Sequence, residues 1–144
     1  MSSIPIALAQ PSLLDMCPVT AAVDLLSSAG DVETRGAVYT KREVADFILD
    51  LCGYTAAQPL HTLRLLEPSF GHGDFLIPAV ERLLSAWHSA GSPGDPLITL
   101  GPCIRAVELH RATYARTLAA LTHLLVDADM SQGSAAALAD HWLA

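Results

Sequence analysis

Leu63–Leu76 reads L-R-L-L-E-P-S-F-G-H-G-D-F-L, and this stretch decides the fold. Leu63, Leu65 and Leu66 form a short apolar run that stops at Glu67 and Pro68. Gly71 and Gly73 follow one residue apart, and Phe75 and Leu76 then open a helical pattern. A buried strand therefore delivers its carboxyl end, through a tight glycine turn, to a helix N-terminus. In open α/β sheets that place is a ligand crevice suited to adenosine-containing cofactors. The carboxylate of Glu67 at the strand tip argues against a plain phosphate and for a ligand carrying positive charge.

The flanking sequence supplies the rest of such a sheet. Residues 1–11 are an irregular lead-in, and Val19, Val23, Leu25 and Leu26 mark a helix from Ser12 to near Gly30. Asp31 to Tyr39 reads as a loop. Thr40 heads T-K-R-E, a capping box in which Glu43 reaches back, and Val44, Phe47, Ile48 and Leu51 form one apolar stripe. That predicts a helix from about Lys41 to Cys52, stopped at Gly53. Strand one covers about Thr62 to Leu66. A helix follows from about Asp74 to Ser89, burying Val80, Leu83, Leu84 and Trp87, with Pro78 tolerated in its first turns. After the breaker G-S-P-G-D-P (Gly91–Pro96), strand two spans about Ile104 to Val107 and ends at Glu108. A helix from about Arg111 to Leu125 and a short strand around Ala136 to Leu138, ahead of Asp140, complete the order. Two helices followed by β-α-β-α-β is half of a doubly wound parallel sheet.

Composition bounds the function. The 144 residues suffice for one domain with a real core, and 51% hydrophobic residues exclude general disorder. Eight basic residues against a net charge of −7 make the chain a poor polyanion binder by itself. Cys17, Cys52 and Cys103 are odd in number and widely spaced, which suits neither a disulfide framework nor a zinc site. Without a basic signal start or an apolar run of about 18 residues, the expectation is a soluble cytoplasmic protein.

Gly71, Gly73 and Phe75 give G-x-G-x-F, which lacks the third glycine of the dinucleotide fingerprint. Alone it fits a plain tight turn as well as a ligand cradle. Glu108 adds a second element, because a carboxylate at a strand tip accepts two hydrogen bonds from a ribose diol. His72 and Asp74 take no catalytic role in this reading; Asp74 is a first-turn acid favoured by the helix dipole. The histidines show no triad or metal-ligand spacing.

With these residues assembled, the chain resembles the class I S-adenosylmethionine-dependent methyltransferases, and within them the DNA adenine-N6 branch of restriction–modification systems. The family's R-G-x-x-x-T segment is R-G-A-V-Y-T, Arg35 to Thr40. Its acid-Pro-x-x-G-x-G-x-F-L motif is Glu67 to Leu76, its strand-two acid is Glu108, and Asp140, His141 and Trp142 fit its third motif. The resemblance implies the amino-terminal half of a Rossmann-like α/β fold, three parallel strands with flanking helices, preceded by one or two helices. Residues 1–34 would be the lead-in and helix, and 35–144 a partial cofactor domain that stops before strand four. It also implies roles. Glu67 faces the cationic methionine end of S-adenosylmethionine, with Pro68, Ser69 and Phe70 lining that pocket. Gly71 and Gly73 allow close backbone approach. Glu108 holds the ribose hydroxyls, Leu109 packs on the adenine, Asp140 accepts from the adenine amino group, and His141 stacks. Thr40 contacts the methionine carboxylate.

The family's N-P-P-Y or D-P-P-Y signature is absent from the chain. The expectation is a cofactor-binding portion that transfers no methyl group alone. It would reach DNA only through missing carboxyl-terminal parts or a partner chain, and an exposed strand-one edge would await a partner. Two alternatives stay open: an N-methyltransferase fragment acting on a protein or small amine, and a non-catalytic remnant or interaction subunit.

Overall fold

A computed structural model describes residues 40–144; the helix expected from Ser12 and the loop from Asp31 to Tyr39 lie outside the described residues. Helix α1 is Arg42–Leu51. Its end is a Schellman motif, in which Gly53 (φ +71°) donates to the Asp50 carbonyl and Tyr54 to the Leu49 carbonyl, at 3.0 and 2.9 Å. Its start corrects the capping box. Lys41 occupies the N-cap position with no side-chain cap bond, and Thr40 lies one residue outside the helix.

The apolar stripe is corrected too. Val44, Phe47, Ile48 and Leu51 are 37–71% exposed, while Ala45 and Leu49 are buried. The packed face is the one carrying Arg42, Ala45, Asp46 and Leu49, which share a side at helical spacing. Its charges pair with helix α2, Leu76–Ser89: Arg42 with Glu81 at 2.5 Å, and Arg82 with Asp46 and Asp50 at 3.1 and 2.6 Å. Arg82 also donates to the backbone carbonyls of Tyr54 and Asp46. Ion pairing and a small-residue seam set the helix rotation against the hydrophobic periodicity.

A 3-10 turn at Leu60–Thr62 precedes strand β1, Leu65–Glu67. Strand β2, Ile104–Ala106, runs parallel to it, with Leu65 opposite Ile104 and Glu67 opposite Ala106. Leu143 forms a parallel bridge to Ala106, and Ala144 donates to the Ala106 carbonyl at 2.8 Å. The sheet among the described residues is thus two parallel strands with one isolated bridge beside it, where three parallel strands were expected.

Helix α2 buries Val80, Leu83, Leu84 and Trp87 as its periodicity requires, and Pro78 sits in its first turn. The carboxyl end of the breaker segment becomes a short helix α3, Pro96–Leu100, with Pro96 at the first position. Asp95 caps it by accepting from the Leu97 and Ile98 amides at 2.9 and 3.3 Å. Helix α4 is Arg111–Asp127. The strand expected around Ala136 to Leu138 is instead helix α5, Gln132–Trp142. Ser131 caps it by accepting the Ser134 amide at 3.2 Å, and the alanine run that follows favours helix over strand. Trp142 is fully buried, and its indole N–H donates to the Leu100 carbonyl at 3.0 Å.

Candidate functional site

The glycine turn joins β1 to α2 in the way its sequence requires. Gly71 and Gly73 adopt φ +50° and +85°, conformations that L side chains rarely take. Their surroundings differ. A Cβ on Gly73 would stand 2.9 Å from the Ile77 side chain and 3.2 Å from that of Thr117, so the turn is pressed onto α2 and α4 there. A Cβ on Gly71 would meet nothing within 4 Å. Gly73 answers to packing, whereas Gly71 borders open space.

Glu108 reaches across from beyond β2 to this turn. One carboxylate oxygen accepts the Gly71 amide at 2.9 Å, and the other accepts the amide of His110, the N-cap residue of α4, at 2.8 Å. The parallel ladder also runs past both strands: the Val107 amide donates to Glu67 and the Phe70 amide to Val107, at 2.9 and 3.1 Å. Two residues 37 apart in sequence are thereby joined at the carboxyl ends of adjacent strands. A carboxylate offers about four lone-pair sites. With two taken by amides, Glu108 keeps capacity for two further hydroxyl donors.

The other expected residues divide into two groups. Glu67 is half-buried and accepts the Ser69 amide at 3.1 Å, with Pro68 and Ser69 exposed beside it. Leu109 is 62% exposed next to Glu108. The Thr40 amide donates to Asp74 at 3.1 Å, which brings the first described residue against the turn. Phe70 does not line an open pocket; its ring is buried, with its centroid 6.0 Å from that of Tyr114. Asp140 and His141 do not join the turn. Both are exposed and ride on α5. His141 lies beside Gly101, ahead of β2, and pairs with Arg105 through its ring and its carbonyl. Parallel strands place Gly101 and Glu108 at opposite ends of β2, so this correction follows from the helix that replaced the expected strand.

Residues outside the expected set take part around the turn: Asp74 ties it to Thr40, Thr117 holds its Gly71 carbonyl, and the His110 amide holds Glu108. Asp74 was visible as an acid at a helix start, but its partner was not. Thr117 donates its hydroxyl to the Gly71 carbonyl at 2.8 Å across 46 residues, a contact with no local sequence signal.

Other features lie elsewhere. A cavity of about 330 Å³ is bordered by Trp87, His88, Asp129, Met130 and Ser131, none of them in the glycine turn. The Cys103 thiol is pushed up by burial and donates toward the His61 and Thr99 carbonyls. Among the described residues no cluster of metal-ligating side chains occurs, and no helix is long and apolar enough to cross a membrane. The arrangement at the turn is acidic, glycine-edged and partly open. It suits a ligand bearing hydroxyl donors and positive charge better than a polyphosphate.

No protein-family model and no solved structure matches the chain. Curated relatives do. The Type II methyltransferase M.PaeR7I of Pseudomonas aeruginosa is 52% identical over 99% of this chain and 25% of its own length. M.XhoI of Xanthomonas vasicola is 40% identical over 77% of the chain and 20% of its own length, and M.BstVI of Geobacillus stearothermophilus is 48% identical over 55% and 14%. Spanning about a quarter or less of each relative, the chain belongs with the Type II methyltransferases as a segment of that family.

Proposed function

We propose that this chain is the S-adenosylmethionine-binding portion of a DNA adenine-N6 methyltransferase of a restriction–modification system. The observation that carries it is the clasp between Glu108 and the Gly71 amide, which sets a carboxylate beside an open glycine edge at the carboxyl end of a parallel sheet. Glu108 would take the two ribose hydroxyls on its remaining lone pairs, and Leu109 would cover the adenine. Glu67, with Pro68 and Ser69, would face the sulfonium and the methionine end, where a carboxylate favours positive charge. Thr40, held against the turn, would meet the methionine carboxylate. Gly71 would let the ligand approach the backbone, and Gly73 would keep the turn seated on α2 and α4. Asp140 and His141 leave the set because of their place on α5.

When bound, S-adenosylmethionine supplies a methyl group activated on sulfur. The chain's own residues bind and orient that cofactor, a contribution of positioning and electrostatics. Its sequence holds no N-P-P-Y or D-P-P-Y, so the methyl acceptor would be presented by other parts of the protein or a partner chain. The net charge of −7 assigns DNA contact to those parts as well. The edge of β1 away from β2, which pairs with no other strand among the described residues, is where such a part would pair.

Isothermal titration of the chain with S-adenosylhomocysteine and S-adenosylmethionine tests the reading. Binding that falls at least tenfold in Glu108→Ala supports it. No binding by the unmodified chain, or no effect of that substitution, rejects it. Labelled methyl transfer to duplex DNA by this chain alone would reject its assignment as a non-catalytic portion.

A further inference from the structure

Thr117 is a polar residue in the interior, 1% exposed. It belongs to the buried stripe of α4 with Leu121 and Leu125, each four positions apart, where an aliphatic side chain would be the ordinary occupant. A helical threonine commonly returns its hydroxyl to the carbonyl four residues back. Thr122 does so, donating to Leu118 at 2.8 Å. Thr117 instead donates out of its helix, to the Gly71 carbonyl at 2.8 Å.

That bond has a counterpart. Glu108 holds the N–H of Gly71 and Thr117 holds its C=O, so both polar groups of one residue are gripped by side chains from distant sequence. Gly71 sits at φ +50° with no neighbour within 4 Å of a Cβ position, so nothing packs against it on that side. Glycine has the widest backbone freedom of any residue, and a loosely held glycine would pay an ordering cost on ligand binding. We propose that Thr117 is a positioning residue for this turn: its hydroxyl locks the Gly71 peptide so that the turn is already shaped for S-adenosylmethionine. The ligand half of this inference rests on the cofactor reading above; the locking of the turn does not.

Two measurements on the full chain separate those halves. The first is hydrogen exchange of the turn, whose Gly73 amide donates to Phe70 at 2.7 Å and reports its order. Thr117→Val keeps the shape and removes the hydroxyl, and Thr117→Ser keeps the hydroxyl. Turn amides exchanging about tenfold faster in the valine variant, with α4 unchanged and the serine variant like the parent, is the expected result. Equal protection in all three overturns the proposal. Should the valine variant fail to fold, Thr117→Ser against Thr117→Ala makes the same comparison. The second measurement is S-adenosylhomocysteine affinity, expected to weaken about tenfold in the valine variant and to stay within about threefold in the serine variant. A parent chain that binds none defeats the cofactor reading and the ligand half, while exchange still decides whether Thr117 locks the turn. A parent chain that binds, with both variants equally affected or unaffected, overturns the positioning role.

Discussion

The side chain of Asp74 accepts the backbone N–H of Thr40 at 3.1 Å, across 34 positions of sequence. One side chain in the glycine turn therefore ties down the backbone immediately ahead of α1. Removing the acceptor in Asp74→Ala should cost about 1 kcal/mol, since the bond is part-buried and made to a carboxylate. Asp74→Asn keeps an acceptor oxygen and should cost less than half as much. Thermal melts of the two variants check the difference, and equal losses would assign the effect to something other than this bond.

The two glycines of the turn should respond unequally to alanine. Gly71→Ala meets only the backbone penalty of positive φ, about 1–2 kcal/mol. Gly73→Ala meets the same penalty and also drives a methyl into Ile77 at 2.9 Å, adding about 1–3 kcal/mol of overpacking. The ligand response should be inverted relative to stability. Gly71→Ala, placed at open space, should weaken S-adenosylhomocysteine binding while the protein stays folded. Chemical denaturation and titration on the two variants test both orderings.

How much of this was legible in the sequence depends on how local each signal is. The strand-turn-helix at Leu65–Ser89 was legible because positive φ at Gly71 and Gly73 and the stop at Pro68 are properties of the residues themselves. Glu108 was legible as an acid after an apolar run. The stripe of α1 misled because periodicity shows that a helix has an apolar face but not which neighbour claims it; Arg82 claimed the opposite side. Ala136–Leu138 misled because a short apolar run fits helix and strand alike, and Ser131 decided it as a cap. Asp74 and Thr117 could be seen as residues but not as partners of Thr40 and Gly71, because those contacts exist only once the sheet is assembled.

The docking of α1 on α2 should depend on acid pH. Hydrogen bonding to Arg42, and then to Arg82, holds the Asp46 carboxyl below the usual carboxylate range. A carboxyl depressed in the folded state contributes stability that is present above its unfolded pKa, near 4, and is lost as pH falls through the depressed value. Protection factors in α1, taken against the intrinsic exchange rate at each pH, should therefore fall on acidification below about pH 4, and Asp46→Asn should remove that dependence. Arg82→Ala, which also strips the Tyr54 and Asp46 carbonyls of a charged donor, should destabilise by roughly 2–3 kcal/mol. An acid profile unchanged in Asp46→Asn would show that other carboxyls set it.

The alkaline limb should report a different residue. Tyr54 is buried, and its hydroxyl has no hydrogen-bond partner among the described residues. Burial pushes its pKa up to about 12. A group whose folded pKa is raised contributes stability that is fully present below its unfolded value, near 10, and is lost as pH rises through the folded one. The protein should therefore lose stability between about pH 10 and 12, with Tyr54 ionising only as the structure opens. Tyr54→Phe removes the titrating group together with an unsatisfied hydroxyl. It should flatten that limb and leave stability at neutral pH unchanged or higher by about 1 kcal/mol. Absorbance titration of the phenolate alongside circular dichroism checks both parts. A Tyr54→Phe variant less stable at neutral pH would mean that the hydroxyl has a partner after all, a bound water being the simplest, and the alkaline argument would then fail with it.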